Sequence, residues 1–551
     1  MKKYISIFLL LVAAGSAAAQ NWQDALLFSE NIYSGTARTV GMGNAVTAIG
    51  GDPGSLVFNP AGSAVASYSQ LSLTPGLSFS SSSATGTILS GDTAPIGFGD
   101  KMQSGYMRVK MPNVSYIASF STRKNRGLKR FSLGVSFSST NNYTSRFNAG
   151  GVNVDNSYAA SLASSADGFS SRVLGEEDWY YSGDPARMPA WVDMVGYRSG
   201  MFNGVAGRDG SYIALTETMD SQGNFHLAGP VYQKYGRQTY GYKGDFLLNF
   251  ALNFSDKFYV GANLGVANLN YNQVTYWQEA PANENEFPTI AYSDGSTARF
   301  NSLLMQQNYR ASGTGLYAKV GVLWRPTRSL RLAAAVQTPT ALRITERYGY
   351  KGQVSLSGKS TPSASSPEDV WSYNLLSPMR FNVGAAFSLG NLAVFSADYE
   401  MVNYGTSRFA EEGSGFDGFI ASSMFYDANK EIAQVLGLSH MLRAGAEVKV
   451  APSVSLRAGY NLTTSPERGF ESMLKHAFSL GAGYSSGGSF YVDAAVRLRT
   501  TYNEYIIPYY YYIAPNPDRF YEKVIWEECI TPEVEVRSLL VDALVTVGWR
   551  F

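Results

Sequence analysis

From Phe131 onward the chain is written largely in period two. Phe131, Leu133, Val135 and Phe137 alternate with Ser132, Gly134, Ser136 and Ser138. Phe246, Leu248, Phe250, Leu252 and Phe254 alternate with Leu247, Asn249, Ala251 and Asn253, and Leu316, Ala318, Val320, Val322 and Trp324 with Tyr317, Lys319, Gly321, Leu323 and Arg325. The pattern returns over 381–387, 442–450, 454–460, 490–498 and 541–551. Each run predicts a strand with one apolar and one polar face. The breaks between strands are of two kinds. Short ones fall near 123–130, 255–257, 326–329, 390, 451–452 and 485–488; long ones cover about 83–108, 146–241, 276–312, 346–374, 405–437, 466–473 and 503–533. Short and long alternate, which predicts about 14 strands, the even number of a bacterial barrel with short inner turns and long outer loops.

The segment ahead of the first strand is different. Residues 24–62 carry no period-two run, two short helical possibilities (24–29 and 44–48), and five glycines between Gly41 and Gly54. In SLVFNPAGSA (55–64), Asn59 suits a helix cap and Pro60 the first helical position. A segment of about 45 residues is too small to bury a core of its own. The predicted organisation is a signal peptide at 1–19, a plug at 20–66, and a barrel over 67–551.

Composition decides between a soluble exported β protein and a membrane barrel. Charged residues are 16% of the chain, below the roughly 25% of soluble domains, while aromatics reach 14%. A net charge of +1 offers no field for nucleic acid. Lys2 and Lys3, the apolar run 5–14 and Ala17-Ala18-Ala19 form an export signal cleaved near Gln20. Cys529 is the only cysteine, so no disulfide closes within the chain. After residue 20 there is no run of about 18 apolar residues to make a membrane helix. Sorting of loop lengths favours the barrel. The chain ends on Phe551, on the apolar face of the last strand, which resembles the terminal signature read by the outer-membrane assembly machinery and makes that machinery an expected partner.

The lead-in GTARTVGMGNAVTAIGGDPGSLVFNPAG (35–62), with GLYAKVGVLWRPTRSLRLAAAVQTPT (315–340), FSADYEMVNYG (395–405) and LRAGAEVKVAPSVSLRAGYNLTTSP (442–466), resembles the FadL/TodX family of outer-membrane transporters for long-chain fatty acids and other hydrophobic compounds, in its Bacteroidetes-type form. The resemblance covers the plug and most strands, not the long outer loops. It implies an all-β, 14-stranded transmembrane barrel around an N-terminal plug. It also implies a pocket for an amphipathic ligand, passive movement through a side opening or past the plug, and location in the outer membrane among its lipids.

Signals for enzyme chemistry are poor, and no cofactor or metal is expected. His226, His440 and His476 are scattered and make no metal pair. Gly41-Met42-Gly43 and Gly481-Ala482-Gly483 lack the third glycine of a dinucleotide loop, and no nucleophile elbow is present. If apolar faces meet lipid, the alternate set lines the lumen: Lys319, Arg331, Arg380, Asp398, Glu400, Arg443, Glu447, Arg457, Asp493, Arg497 and Asp542. One reading is a ladder of ion pairs bracing wall and plug. The other gives an anionic head group to cations with incomplete partners, for which Lys319, Arg380, Arg443 and Arg457 are the candidates. Phe58, Asn59, Pro60 and Ala61 are the candidate plug residues beside the ligand path, and Leu56, Val57 and Val65 either line it or pack the plug. Inward glycines (Gly261, Gly265, Gly321, Gly445, Gly459) either make room for the plug or permit bending. Trp179-Tyr180-Tyr181, Trp191 and the tyrosine run 505–515 mark an outer landing groove, an interfacial belt, or a protein contact. Uptake of hydrophobic or amphipathic molecules, fatty acids first, is the expected function. A scaffold for a secretion or surface-assembly system and a haem-binding receptor are the alternatives.

Overall fold

Fourteen strands close on themselves in a computed structural model of the chain, each antiparallel to its neighbours. The structure describes residues 20–551 except 89–94, 177, 178, 180–187, 284–286, 292–294, 360, 362, 414–423, 502 and 511–530. The signal peptide, Tyr180, Tyr181, the later part of the tyrosine run and Cys529 lie outside the described residues.

In chain order the wall strands are β1 (Gln70–Gly86), β2 (Met102–Ser121), β3 (Leu128–Asn142, continued by Ser145–Asn153), β4 (Val231–Phe254), β5 (Phe258–Pro281), β6 (Thr297–Trp324) and β7 (Leu330–Gln337, continued by Thr340–Ser357). They continue with β8 (Asp369–Ser377 and Arg380–Leu389), β9 (Ala393–Asn403 and Arg408–Glu411), β10 (Leu438–Ala451), β11 (Val454–Thr464), β12 (Leu474–Ser485), β13 (Phe490–Thr500 and Glu504–Ile506) and β14 (Val534–Arg550). β14 pairs with β1 from Arg550↔Gln70 to Val534↔Gly86, so no sheet edge is left by the closure.

The lower half of the wall follows the sequence pattern. On β6 the outward positions Leu316, Val320, Val322 and Trp324 are exposed, and Tyr317, Lys319 and Leu323 point inward and are buried. This is a lipid-facing band around a polar lumen. Higher up, the two faces exchange character. The same outward column continues as Gln306, Asn308, Arg310, Ser312 and Thr314, and the inward one as Ala298, Phe300, Leu303 and Met305. There the wall is a water-facing sleeve with an apolar interior. The strands therefore run well past the expected loop boundaries. The longest connection, expected over 146–241, shrinks to about 154–230, because 145–153 and 231–241 are wall.

The described parts of that connection fold into the sleeve. Helices α3 (Tyr158–Ala166), α4 (Ser171–Gly175) and α5 (Trp191–Arg198), with a hairpin of Phe202–Val205 and Arg208–Ala214, bring Leu162, Met194, Val195, Phe202 and Tyr212 onto Phe147, Phe300, Met305 and Val354 of the wall. Trp179 and Trp191 pack on this core, and Tyr509 is buried in it, donating to Asn156 Oδ1 at 2.8 Å. Trp179, Trp191 and Tyr509 thus fill a dome, while Tyr505 and Tyr510 stay exposed.

Two acids are sealed into the dome above the lipid band. Glu279 of β5 accepts from the amides of Tyr158 (2.5 Å) and Ala159 (3.2 Å) at the start of α3 and from Gln233 (2.6 Å). Asp193 of α5 accepts from Ser165 Oγ at 2.8 Å, and its other oxygen has no hydrogen-bond partner among the described residues. Burial pushes both carboxyls up to about 7. Folded, they hold their protons to near neutrality; unfolded, they lose them in the ordinary carboxyl range. Between those limits the folded dome binds more protons, so its stability falls as pH rises toward 7. Hydrogen exchange of the α5 amides, corrected for intrinsic rates, is expected to be faster at pH 8 than at pH 5.5. Asp193→Asn is expected to remove much of that difference.

Candidate functional site

The plug, residues 20–66, lies inside the barrel. Helix α1 (Trp22–Ser29) starts at a capping box in which Asn21 accepts from the Asp24 amide and Asp24 from the Asn21 amide. The expected second helix at 44–48 is not formed. A helical turn, α2 (Ala37–Gly41), precedes it, and Asn44 takes a left-handed backbone at φ 59°, which ends the helical run. Asn59 caps a 3₁₀ turn, Pro60–Val65, by accepting the Ala61 amide at 3.0 Å.

Most of the plug is irregular, so its backbone carbonyls lack ladder partners. Buried at membrane depth, each needs a donor, and the inner wall supplies several. Lys319 donates to Val57 O (2.5 Å), Arg331 to Ile49 O (2.5 Å), Arg380 to Ser29 O (2.5 Å) and Lys243 to Phe28 O (2.7 Å). Asn263 donates to Leu56 O (2.8 Å), Asn249 to Pro60 O (3.0 Å) and Arg497 to Tyr33 O (2.6 Å). In return the Asp398 carboxylate accepts from the Thr47 amide at 2.8 Å. The four candidate cations are thus spread over this interface. Arg380 and Arg443 share Glu400, with Arg380 Nη1 at 3.0 Å, and Arg443 also lies over the Phe58 ring at 5.0 Å. Arg457 bridges Glu447 (2.5 Å) and Asp493 (2.7 Å), and Arg38 of the plug joins Glu447 at 2.8 Å. The cavity beside Arg380, Glu400 and Tyr404 is about 10 Å³, room for about one water.

Asn59, Pro60 and Ala61 press on the wall where it has no side chains, while Phe58 packs beneath Arg443. A Cβ at Gly261 would collide with Pro60, one at Gly321 with Asn59, one at Gly445 with Met42 and one at Gly459 with Gly43. Gly265 instead makes room for the Tyr317 ring. Asn59 Nδ2 donates to Thr47 O (2.9 Å) within the plug and Val322 O (3.1 Å) in the wall.

The wall has a gap that sequence reasoning missed. β2 pairs with β3 from Ser121↔Arg130 up to Asn113↔Ser138 and no further. The two next meet at a single bridge, Asp100↔Gly150. Between, β3 turns inward: Asn142 Nδ2 reaches Ser78 Oγ of β1 at 2.6 Å, and the plug lies along the turned segment through the bridge Ser34↔Ser139 and Ile32 N to Thr140 O at 2.6 Å. The freed edge of β2 carries Met107 and Val109, 62% and 78% exposed. They stand opposite Phe79 and Leu77 of β1, within the lipid-facing band. Arg108 crosses the gap to lie over Tyr240 of β4 at 4.5 Å.

Behind the gap is a cluster with more cation than anion. Asp542, fully buried, takes Lys110, Arg497 (2.8 Å), Arg499 (3.3 Å) and the Ser78 hydroxyl. Lys475 nearby is paired with Glu30 at 2.8 Å. Three cations on one carboxylate leave an excess of positive charge beside an opening to lipid. Two of the residues, Arg497 and Asp542, are among the inward set read from the strand pattern; Lys110 lies ahead of the first alternating run, in a strand whose phase is shifted by a bulge at Thr74/Gly76, where β1 pairs β2.

No family model matches the sequence, and no curated protein matches it. Among solved structures the chain is similar to a Pseudomonas aeruginosa FadL homologue (12% identity, 95% of this chain and 99% of that one, TM-score 0.49). It is also similar to the Pseudomonas putida toluene transporter TodX (12%, 95% and 99%, TM-score 0.47) and the Ralstonia pickettii toluene transporter TbuX (12%, 95% and 100%, TM-score 0.45).

Proposed function

We propose that the chain is an outer-membrane channel for hydrophobic and amphipathic small molecules, long-chain fatty acids first. The observation that carries this reading is the gap between β2 and β3 inside the lipid-facing band. Unpaired strand edge is costly in hydrocarbon, and an opening there gives an apolar tail a way between lumen and lipid without crossing water. An anionic head group reaching the gap meets Lys110 and Arg499, whose carboxylate partner is shared. Movement is passive and needs only a small shift in the balance between two packings of Arg108, the turned part of β3 and the plug strand beside it.

The test is uptake of labelled oleate by a deletion strain carrying the wild-type chain or the Lys110→Met, Arg499→Met pair. The wild type is expected to restore uptake. The double variant is expected to lower it about tenfold, a loss of roughly 1.4 kcal/mol of head-group stabilisation, and to leave uptake of uncharged toluene unchanged. Equal oleate uptake with and without the chain would sink the proposal. Mass spectrometry of what co-purifies in mild detergent separates the alternatives. A fatty acid supports the channel, a stoichiometric protein supports a scaffold, and a Soret band supports haem.

A further inference from the structure

A second site lies on the outside of the sleeve, away from plug and gap. A groove of about 470 Å³ runs across the outward face of β3, β4, β5 and β6. The ladder explains why a wall that should be convex is hollow there. Asn148, Gly236, Tyr276 and Gln306 form one row across the four strands, and Gly150, Lys234, Gln278 and Leu304 the next row up. Glycines at two adjacent crossings lower the surface, and side chains close on them: the Met102 sulfur and the Tyr232 hydroxyl on Gly150, and the Tyr276 ring on Gly236. Tyr276 tips into the space left by Gly236, where a Cβ would collide with its ring, and its hydroxyl donates to Asn148 Oδ1 at 2.5 Å. The ring is held flat, one face on backbone and the other outward, an aromatic covering a strand glycine.

The lining is selective. Around that exposed ring stand the amides of Gln278 and Gln306 and two cations, Arg146 and Lys234, with no carboxylate among the lining residues. An open aromatic face takes the C–H face of a pyranose ring, amides pair with ring hydroxyls, and guanidinium and ammonium hold a carboxylate or phosphate. Met102 and Leu304 add apolar patches beside the ring, and the amides and cations between them favour a ligand carrying hydroxyls and negative charge over a bare alkyl chain. Two cations are too few for a nucleic-acid backbone. We propose that this groove binds an anionic saccharide, one carrying uronate or phosphate groups. Gln306 lies ten residues along β6 above Leu316, the top of the apolar band. At about 3.3 Å per residue and a tilt near 40°, that is roughly 25 Å above the lipid. The sugars of a surface glycolipid stand at that height, so glycolipid is the expected source; this last step rests on the membrane placement, while the saccharide chemistry rests on the groove alone.

The experiment is calorimetric titration of the full chain in detergent with tri-galacturonate, mannose 6-phosphate, maltotriose and penta-glutamate. At least one anionic sugar is expected to bind saturably and at least tenfold more tightly than maltotriose or penta-glutamate, and to weaken with salt. Lys234→Gln, at an exposed position, and Tyr276→Ala are each expected to weaken it at least fivefold, while oleate uptake is unchanged. Binding of neither anionic sugar, equal binding of penta-glutamate, or indifference to both substitutions overturns the proposal. Rough lipopolysaccharide and its deacylated core oligosaccharide form the second arm. Equal affinity places recognition in the sugar, as proposed, and binding of the intact glycolipid alone overturns it.

Discussion

Gly321→Val is expected to unseat the plug and leave the barrel standing. Gly321 points inward from β6 at the Asn59-Pro60 turn, and a side chain there must displace Asn59, whose amide ties Thr47 to Val322 of the wall. Valine suits a strand backbone, so the ladder of β6 with β5 and β7 is unaffected. Overpacking costs about 1–3 kcal/mol, and loss of the Asn59 hydrogen bonds adds about 1 kcal/mol each. That sum is large against a turn whose neighbours are themselves irregular. In planar bilayers the wild type is expected to be nearly silent and the variant to conduct ions steadily, with both proteins keeping the heat-modifiable migration of a folded barrel. Pro60→Gly is the milder step in the same series: it removes the fixed φ at the start of the 3₁₀ turn and is expected to raise leak less. A Gly321→Val barrel that stays silent would show that the plug accommodates the new side chain. Failure of the Pro60→Gly chain to assemble at all would make this triplet a folding element, not part of the seal.

Asp542→Ala is expected to be the most destabilising single change in the lumen. It leaves Lys110, Arg497 and Arg499 facing one another without their shared anion, and removing one partner from a buried ion pair costs about 3–5 kcal/mol. The loss reaches the plug, because Arg497 also holds Tyr33 O and Ser34 Oγ (2.8 Å). Urea titration of the folded band in cold detergent gels is expected to show a clearly lower midpoint, and Asp542→Glu to recover most of it. The sign with ligand is the sharper test. Saturating oleate is expected to raise the midpoint of Asp542→Ala more than that of the wild type, since a carboxylate head group then replaces the missing one. If oleate leaves the variant where it was, the cluster is a brace and not a head-group site.

How much of this was legible beforehand follows from where each residue sits relative to lipid. Leu316 to Trp324, or Phe246 to Phe254, announce their strands because one side of the wall is hydrocarbon and the other polar, and that contrast writes itself into every second residue. The short turns, the strand number and the inward placement of Lys319, Arg380, Asp398, Glu400 and Arg443 follow from it. Residues 298–314 of β6 are strand as well, but above the lipid the contrast reverses, and an apolar lumen exists there because the described parts of 154–230 fold into it. No local pattern states that a loop will fill a sleeve.

The site was less legible than the fold. The chain by itself determined that cations and carboxylates share the lumen with a small glycine-rich plug whose Asn59-Pro60 turn starts a short helix. Only the tertiary structure decided which cation meets which partner. Lys319 and Arg380 serve plug carbonyls that are orphaned because the plug has no ladder of its own. Lys110, Arg497 and Arg499 converge on Asp542 across four adjacent wall strands, β13, β14, β1 and β2, joined by register, not by sequence distance. The gap between β2 and β3 was equally out of reach. It exists because Ser139 and Thr140, which keep β4 on one edge, take the plug on the other edge in place of β2, a choice between two partners made by packing. Alternation along a strand records what lies on either side of it; which strand lies next to it is settled by closure of the whole barrel.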